Sequence, residues 1–354
     1  MATWTKVSRS TDEGVVVPMQ APVIVSASRS TDIPAFYADW FFYRLEKGYS
    51  VWTNPFNGAK SYVSYDNTRF IVFWSKNPRS LLKHLHRLQE RNIRCYIQYT
   101  LNDYEREKLE NVPPLAYRIE TFKLLAQRLG KEAVVWRFDP MILTDDISID
   151  SLIQKVKNIG DQLKGHTEKL VFSFVDTHYA KVSKNIKASG IPIHEWTLVE
   201  MELFADRLSA MNHERGWNFQ LATCCEMIDI SKYGIQHNRC IDGDLIARLA
   251  WEDKELMDFM KVKIEEVPAP NLFGNAKLPE GAILLSDNHY FISKHKKDPG
   301  QRLFCQCMVS KDIGEYNTCP HLCEYCYANA TKELAMLNWK RHQANRSSDT
   351  ITGI

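Results

Sequence analysis

The stretch "EYNTCPHLCEYCYANATKELAML" places Cys319, Cys323 and Cys326 at C-x3-C-x2-C spacing, immediately before a segment with helical character. A structural zinc ion takes four protein ligands, so three cysteines leave its usual shell incomplete. Three thiolates suit a cubane iron–sulfur cluster, holding three corners and leaving one iron open to a substrate or cofactor. Spacing of three and then two residues lets one loop wrap those corners, and Tyr325 sets an aromatic ring directly before the last thiol.

Nine cysteines in 354 residues are too few for a disulfide scaffold, and eight of them lie from Cys224 onward. Without a secretion signal, such clustering points to metal ligands or catalytic thiols rather than bridges. Cys95, inside the apolar run "RCYIQYTL", reads as a small buried core residue. His178 in "FVDTHYAK" and His321 in "CPHLC" are loop histidines, more often hydrogen-bonding residues than catalysts; His321 would at most tune a neighbouring cluster.

These groups need a scaffold, and the chain supplies one in a regular rhythm. Apolar, β-rich runs occur at "VIVSAS" (Val23 to Ser28), "YSVWTN" (Tyr49 to Asn54), "RFIVFWSK" (Arg69 to Lys76), "RCYIQYTL" (Arg94 to Leu101), "AVVWRFDP" (Ala133 to Pro140), "KLVFSFVD" (Lys169 to Asp176) and "NFQLATC" (Asn218 to Cys224). Between most of them lie segments with apolar residues at three and four spacing, such as "PPLAYRIETFKLLAQRLG" and "TLVEMELFADRLSAMNHERG". Alternation of this kind predicts a parallel sheet with helices outside it. Seven strands are one short of a closed (β/α)8, TIM-like barrel, and "RLFCQCMVS" (Arg302 to Ser310) is the candidate for the eighth; a doubly wound open sheet is the alternative. The expected layout is an N-terminal extension over 1–22, seven βα units over 23–252, an insertion or small lobe rich in Pro, Gly and Asn over 253–297, and the last barrel strand, cluster loop and C-terminal helix over 298–354. Several strands end in polar residues, among them Ser28, Arg29, Lys76, Asn102, Arg137 and Asp139, and in a parallel barrel such ends converge on the face where active sites form.

The C-x3-C-x-aromatic-C loop resembles the radical S-adenosylmethionine (radical SAM) superfamily. Together "SASRSTDIPAFY", "KKDPGQRLFCQC" and "DIGEYNTCPHLCEYCYAN" resemble a bacterial family catalogued as a domain of unknown function, and "YCYAN" is similar to the spore photoproduct lyase branch. Radical SAM enzymes usually carry the cluster loop near the start of the barrel, whereas here it follows the last strand. A circular permutation accounts for this, with "RLFCQCMVS" as the usual first strand and "VIVSAS" as the second. In that order Cys224, Cys240, Cys305 and Cys307 become neighbours able to ligate a second iron–sulfur cluster; a structural zinc or inert thiols are the alternatives, and spacing does not choose between Cys224 and Cys225. The resemblance also implies that SAM lies along Ser28, Arg29, Ser30, Thr31 and Asp32, although the superfamily's glycine-glycine-glutamate is absent there and Asp32 equally suits a helix N-cap. Arg137 and Asp139 suit the SAM carboxylate or a substrate, or form a structural ion pair.

Two function classes follow. The first is an enzyme whose 4Fe–4S cluster cleaves SAM to a 5′-deoxyadenosyl radical that abstracts hydrogen from a nucleobase, nucleic acid or peptide, with a flavodoxin or ferredoxin as electron donor. The second is a zinc-containing module on a barrel scaffold that binds nucleic acid or a partner. Hydrophobic content of 44% suffices for a real core, and a formal charge of +2 gives no broad basic footprint. No run of eighteen apolar residues occurs, so no membrane partner and a cytoplasmic location are expected.

Overall fold

A computed structural model describes residues 4–54, 57–268, 278–286 and 288–354. Its centre is an eight-stranded sheet formed by β1 (Ile24–Ala27), β2 (Phe70–Ser75), β3 (Arg94–Thr100), β4 (Val134–Met141), β5 (Lys169–Phe174), β6 (Gln220–Thr223), β7 (Gln236–His237) and β8 (Lys311–Asp312). The spatial order is β8-β1-β2-β3-β4-β5-β6-β7, and every neighbouring pair is parallel. A doubly wound sheet reverses its strand order at a switch point. This one does not reverse, and its only departure from chain order is that the last strand lies beside the first. Among the described residues no ladder joins β7 to β8, so the paired strands end in two edges and no barrel closure is seen.

Two sequence expectations need correction. Tyr49–Thr53 joins Lys6–Ser10, Val16–Gln20 and Lys60–Ser64 in a separate four-stranded sheet, because its partner Lys60–Ser64 is close in sequence and pairs antiparallel. The segment "RLFCQCMVS" is a loop; the strand beside β1 is the next pair of residues, Lys311 and Asp312. The Pro-, Gly- and Asn-rich segment lies partly outside the described residues, and the strands Ile264–Glu266, Ala282–Ser286 and His289–Ile292 flanking it form a small antiparallel sheet.

Helices Leu115–Leu129, Ile149–Leu163 and Leu198–Glu214 cover one face of the large sheet. Leu152, Val156, Ile159 and Leu163 recur at helical spacing and pack in one core with Trp136, Phe138, Leu170 and Phe172. Ser148 caps the second of these helices and a Thr197–Glu200 capping box starts the third. Burial of each large apolar side chain contributes about 1.5–3 kcal/mol.

Alternation along the strands defines the other face. Register pairs Ile24 with Phe70, Ser26 with Val72, Val72 with Tyr96 and Trp74 with Gln98. Toward the strand beginnings this face is apolar: Ile24, Phe70, Val72 and Tyr96 form a second core with helices Gly243–Ala250 and Lys254–Met260. Toward the strand ends it turns polar, through Ser26, Trp74, Gln98, Arg137, Ser173 and Cys224. From the middle of the sheet, Tyr96 Oη and Gln98 Nε2 of β3 donate to the carbonyl of Cys240, just beyond the β7 edge, at 2.6 and 2.9 Å. The segment after β7 therefore folds back over this face and lies against the middle of the sheet. Among the described residues no helix is long and apolar enough to cross a membrane.

Asp312 of β8 fixes the last strand against the first. It accepts from Ser26 Oγ (2.9 Å), Ser28 Oγ (2.8 Å), the Arg29 amide (2.9 Å) and the Gly314 amide (3.0 Å). A methyl group on Gly314 would stand 1.7 Å from Ser28 Oγ and 2.5 Å from Ser28 Cβ, so the two segments can meet only without one. Gly314→Ala is expected to destabilise the protein by about 1–3 kcal/mol through overpacking. A urea midpoint unchanged from the wild type would show that this junction yields freely.

Candidate functional site

The loop carrying Cys319, Cys323 and Cys326 lies over the C-terminal ends of β1 to β3, received by residues distant in sequence. Asn111 donates through its amide to the carbonyl of His321 (2.8 Å) and through Nδ2 to that of Pro320 (3.1 Å), while His321 Nδ1 donates back to the Asn111 carbonyl (2.9 Å). His321 Nε2 pairs with Asp32 Oδ2 at 2.7 Å. Tyr37 Oη donates to the Thr318 carbonyl, and Asn185 Nδ2 bonds the carbonyls of Cys326 and Asn329 at 2.7 and 3.0 Å. Within the loop, the amides of Ala328 and Asn329 donate to Cys326 Sγ at 3.3 and 3.2 Å. Donors aimed at a sulfur favour its thiolate form.

Beneath Tyr325 lies a buried charge network. Lys76 Nζ donates to Glu110 Oε1 (2.8 Å) and to Tyr325 Oη (3.0 Å); Asn102 Nδ2 reaches the same carboxylate oxygen (2.7 Å), and Tyr325 Oη donates to it as well. The Glu110 side chain is 1% exposed. Burial pushes its carboxyl up, but the charge and hydrogen bond of Lys76, the Tyr325 hydroxyl and the Arg118 charge outweigh it and hold the group at about 2. Burial raises the thiol of Cys323 well above its usual range, opposed by the nearby Lys76 charge.

The second group of thiols sits across the polar face. Cys224 and Cys240 sulfurs are 3.4 Å apart, so it is Cys224 rather than Cys225 that reaches Cys240; Cys225 adopts a left-handed backbone with φ 61°. Arg137 Nη1 donates to Cys240 Sγ (3.1 Å) and to Gln98 Oε1 (3.1 Å). Its Nε and Nη2 engage Asp139, whose other oxygen accepts from Ser173 Oγ. Trp74 lies between two cations, with Arg29 5.5 Å and Arg137 5.4 Å from its ring. Glu226, next to Cys225, accepts from the Phe174 amide, and burial pushes its carboxyl up to about 7.

The predicted site residues therefore fall into two sets. Asp32 belongs to the three-cysteine loop: its Oδ1 caps helix Ile33–Phe36 at the Ala35 amide (2.9 Å), and its Oδ2 also accepts from the Lys76 amide (2.7 Å). Thr31 is beside it, with a buried hydroxyl that has no partner. Arg137 and Asp139 form the ion pair anticipated as one of their two readings, at the second thiol group. Ser28 is tied to Asp312, while Arg29, whose backbone carbonyl accepts from Tyr327 Oη, has a buried Nη2 without a partner. His178 is exposed and lines a separate cleft of about 850 Å3 with Thr177, Lys184 and Glu195, which no cysteine borders. Lys76 and Asn102 were visible in the sequence as polar strand ends; Glu110, Asn111, Asn185 and Asp312 carried no local signal.

Among the described residues no three Cys, His, Asp or Glu side chains converge closely enough to enclose a single metal ion. The thiolates of a cluster bind different metal atoms and need not converge on one point. The donor chemistry of the loop fits such a group: three sulfurs on one loop, amide hydrogens on one of them, and an unpartnered buried hydroxyl nearby.

Fold and site together define a mixed α/β protein with an eight-stranded parallel sheet whose strand ends lie under a three-cysteine loop. Residues 24–328 match the family described as "Domain of unknown function (DUF1848)", and the chain belongs to that family. Comparison with curated proteins and with solved structures returns no match.

Proposed function

We propose that this chain is a radical SAM enzyme built on a circularly permuted, TIM-like (β/α) barrel that the described ladders leave open. The observation that carries the reading is the placement of Cys319, Cys323 and Cys326 on one loop above the C-terminal ends of parallel strands, with amide donors on Cys326. The position of β8 beside β1 supports the permutation, since the cluster loop then follows the strand that comes first in spatial order.

Cys319, Cys323 and Cys326 would hold a 4Fe–4S cluster, which supplies the electron that splits bound SAM into methionine and a 5′-deoxyadenosyl radical able to take hydrogen from a substrate. The chain's own residues do the positioning. Lys76, Glu110 and Asn102 lock Tyr325, and Asp32 and Asn111 lock His321, so the loop keeps one shape. Cys323 and Tyr325 are buried in the main core, which keeps water from the thiols. Thr31 Oγ1, beside Asp32, is a polar atom without a protein partner and is suited to a polar end of SAM or a substrate. The substrate class remains that of a nucleobase, nucleic acid or peptide, the electron donor a flavodoxin or ferredoxin, and the setting a reducing cytoplasm.

Anaerobic incubation with SAM and dithionite tests the reading. The wild-type protein is expected to be brown and to release 5′-deoxyadenosine, slowly even without its substrate; Cys319→Ala/Cys323→Ala/Cys326→Ala should release none. A colourless protein with stoichiometric zinc would overturn the proposal in favour of a zinc-containing binding module. An intact, reduced cluster that yields no deoxyadenosine would leave the iron an electron-transfer or structural role.

A further inference from the structure

The proposed reaction makes no use of the second thiol group, and its position is unusual. Cys224 directly follows β6, Cys240 lies just past β7, and Cys305 and Cys307 lie in the loop before β8. The Ile241 amide donates to Cys307 Sγ (3.3 Å), and the Met308 amide donates to the Ile241 carbonyl (3.0 Å). The thiols thus gather where the segment after β7 meets the segment before β8, with no strand ladder between those two strands among the described residues.

Several polar groups converge on these sulfurs. Cys240 Sγ accepts from Arg137 Nη1 and from Asn238 Nδ2, both at 3.1 Å, and its carbonyl is gripped by Tyr96 and Gln98. Arg137 is 3% exposed and Asn238 4%. Asn238 Oδ1 and Arg29 Nη2 are buried without partners. A neutral thiol is a weak acceptor, so a buried guanidinium and an amide aimed at one sulfur fit a thiolate. An anionic centre would be offset by Arg137 and, across Trp74, by Arg29.

We propose that Cys224, Cys240, Cys305 and Cys307 hold a second iron–sulfur cluster, which staples the segment before β8 to the segment after β7 across the opening of the sheet. Four thiolates complete the ligand set of a 4Fe–4S cluster and leave no iron open, so this site stores or passes an electron, or braces the fold, and does not bind SAM. A structural zinc is less suited, because its cysteines usually come in knuckles separated by two to four residues, whereas Cys305 and Cys307 are separated by one and the other two ligands stand alone. The proposal is independent of the radical reading, since it shares no ligand with the three-cysteine loop.

Iron and sulfide counts on anaerobically reconstituted protein test it. About eight irons and eight sulfides are expected per wild-type chain, and about four of each in both Cys319→Ala/Cys323→Ala/Cys326→Ala and Cys305→Ala/Cys307→Ala. Cys225→Ala and Cys95→Ala should keep the wild-type count. Amide exchange over 305–312 should be faster in the Cys305→Ala/Cys307→Ala protein than in the wild type. The proposal is overturned if the first variant retains no iron, if it retains about one zinc instead, or if Cys224 and Cys240 are found as a disulfide. Should the variants fail to fold, the wild-type protein decides: about eight irons, or about four whose reduced electron paramagnetic resonance signal is unchanged by added SAM, supports the second cluster, and about four whose signal shifts with SAM, or no iron, removes it.

Discussion

Glu110→Ala is expected to lower stability by about 3–5 kcal/mol, because it leaves the largely buried Lys76 ammonium without its counter-charge. Tyr325 Oη and Asn102 Nδ2 lose their acceptor in the same step, so the three-cysteine loop should also loosen. Glu110→Gln keeps the shape and removes the charge, and should fall between the two. The wild type carries a matching pH signature. A carboxyl held at about 2 in the folded chain, against an ordinary 4.5, contributes stability that is fully present above 4.5 and is lost as pH falls from there toward 2. That gap corresponds to ~3 kcal/mol. Urea unfolding of wild type and Glu110→Gln between pH 7 and pH 2.5 checks the sign: the difference between them should shrink on acidification, and a constant difference would mean that Glu110 is not the group responsible.

Asp32→Ala is the second large effect. One carboxylate accepts from the Ala35 amide, the Lys76 amide and His321, and so joins a helix start, a strand end and the cysteine loop. Hydrogen bonds to a charged acceptor contribute about 1.5–3 kcal/mol each and an N-cap about 1 kcal/mol, so a loss of about 3–5 kcal/mol is expected after partial relaxation. Asp32→Asn can still cap Ala35 and should recover part of it. Iron content read beside the unfolding midpoint distinguishes two roles. If Asp32 shapes the loop, iron is lost in both variants in proportion to stability; if it only caps the helix, Asp32→Asn keeps full iron and full stability.

The strands of the large sheet were legible where a continuous apolar run announces burial on both faces, as in "RFIVFWSK" and "AVVWRFDP". The last strand was not, since Lys311 and Asp312 carry no apolar signal and β8 is held by the four bonds that Asp312 accepts. The segment "RLFCQC" has extended-looking spacing yet lacks a neighbour to pair with, and its cysteines face other thiols. "YSVWTN" has the same pattern as a central strand, and only its nearby antiparallel partner diverts it to the other sheet. The cysteine loop was readable because its three thiols are local. Apart from the strand-end residues Lys76 and Asn102, its receivers were not: Glu110, Asn111 and Asn185 reach it over more than a hundred residues of intervening chain, and single residues leave no periodic trace.

The pairing of the last strand with the first has a consequence for how the molecule is made. Ser26 and Asp312 are 286 residues apart, so the contact closes one of the longest loops the chain can form. A ribosome adding about 5–20 residues per second delivers β1 well before its outer neighbour exists. During that interval the free margin of β1 presents unpaired amides and carbonyls, the kind of template that recruits other chains. The three thiols emerge after β8, by which time Lys76, Glu110, Asn111 and Asn185 have long been synthesised. On the proposed function, metal would load on this loop only late in the life of the chain, and a nascent protein stalled before Lys311 would offer an open sheet margin with nothing to close it.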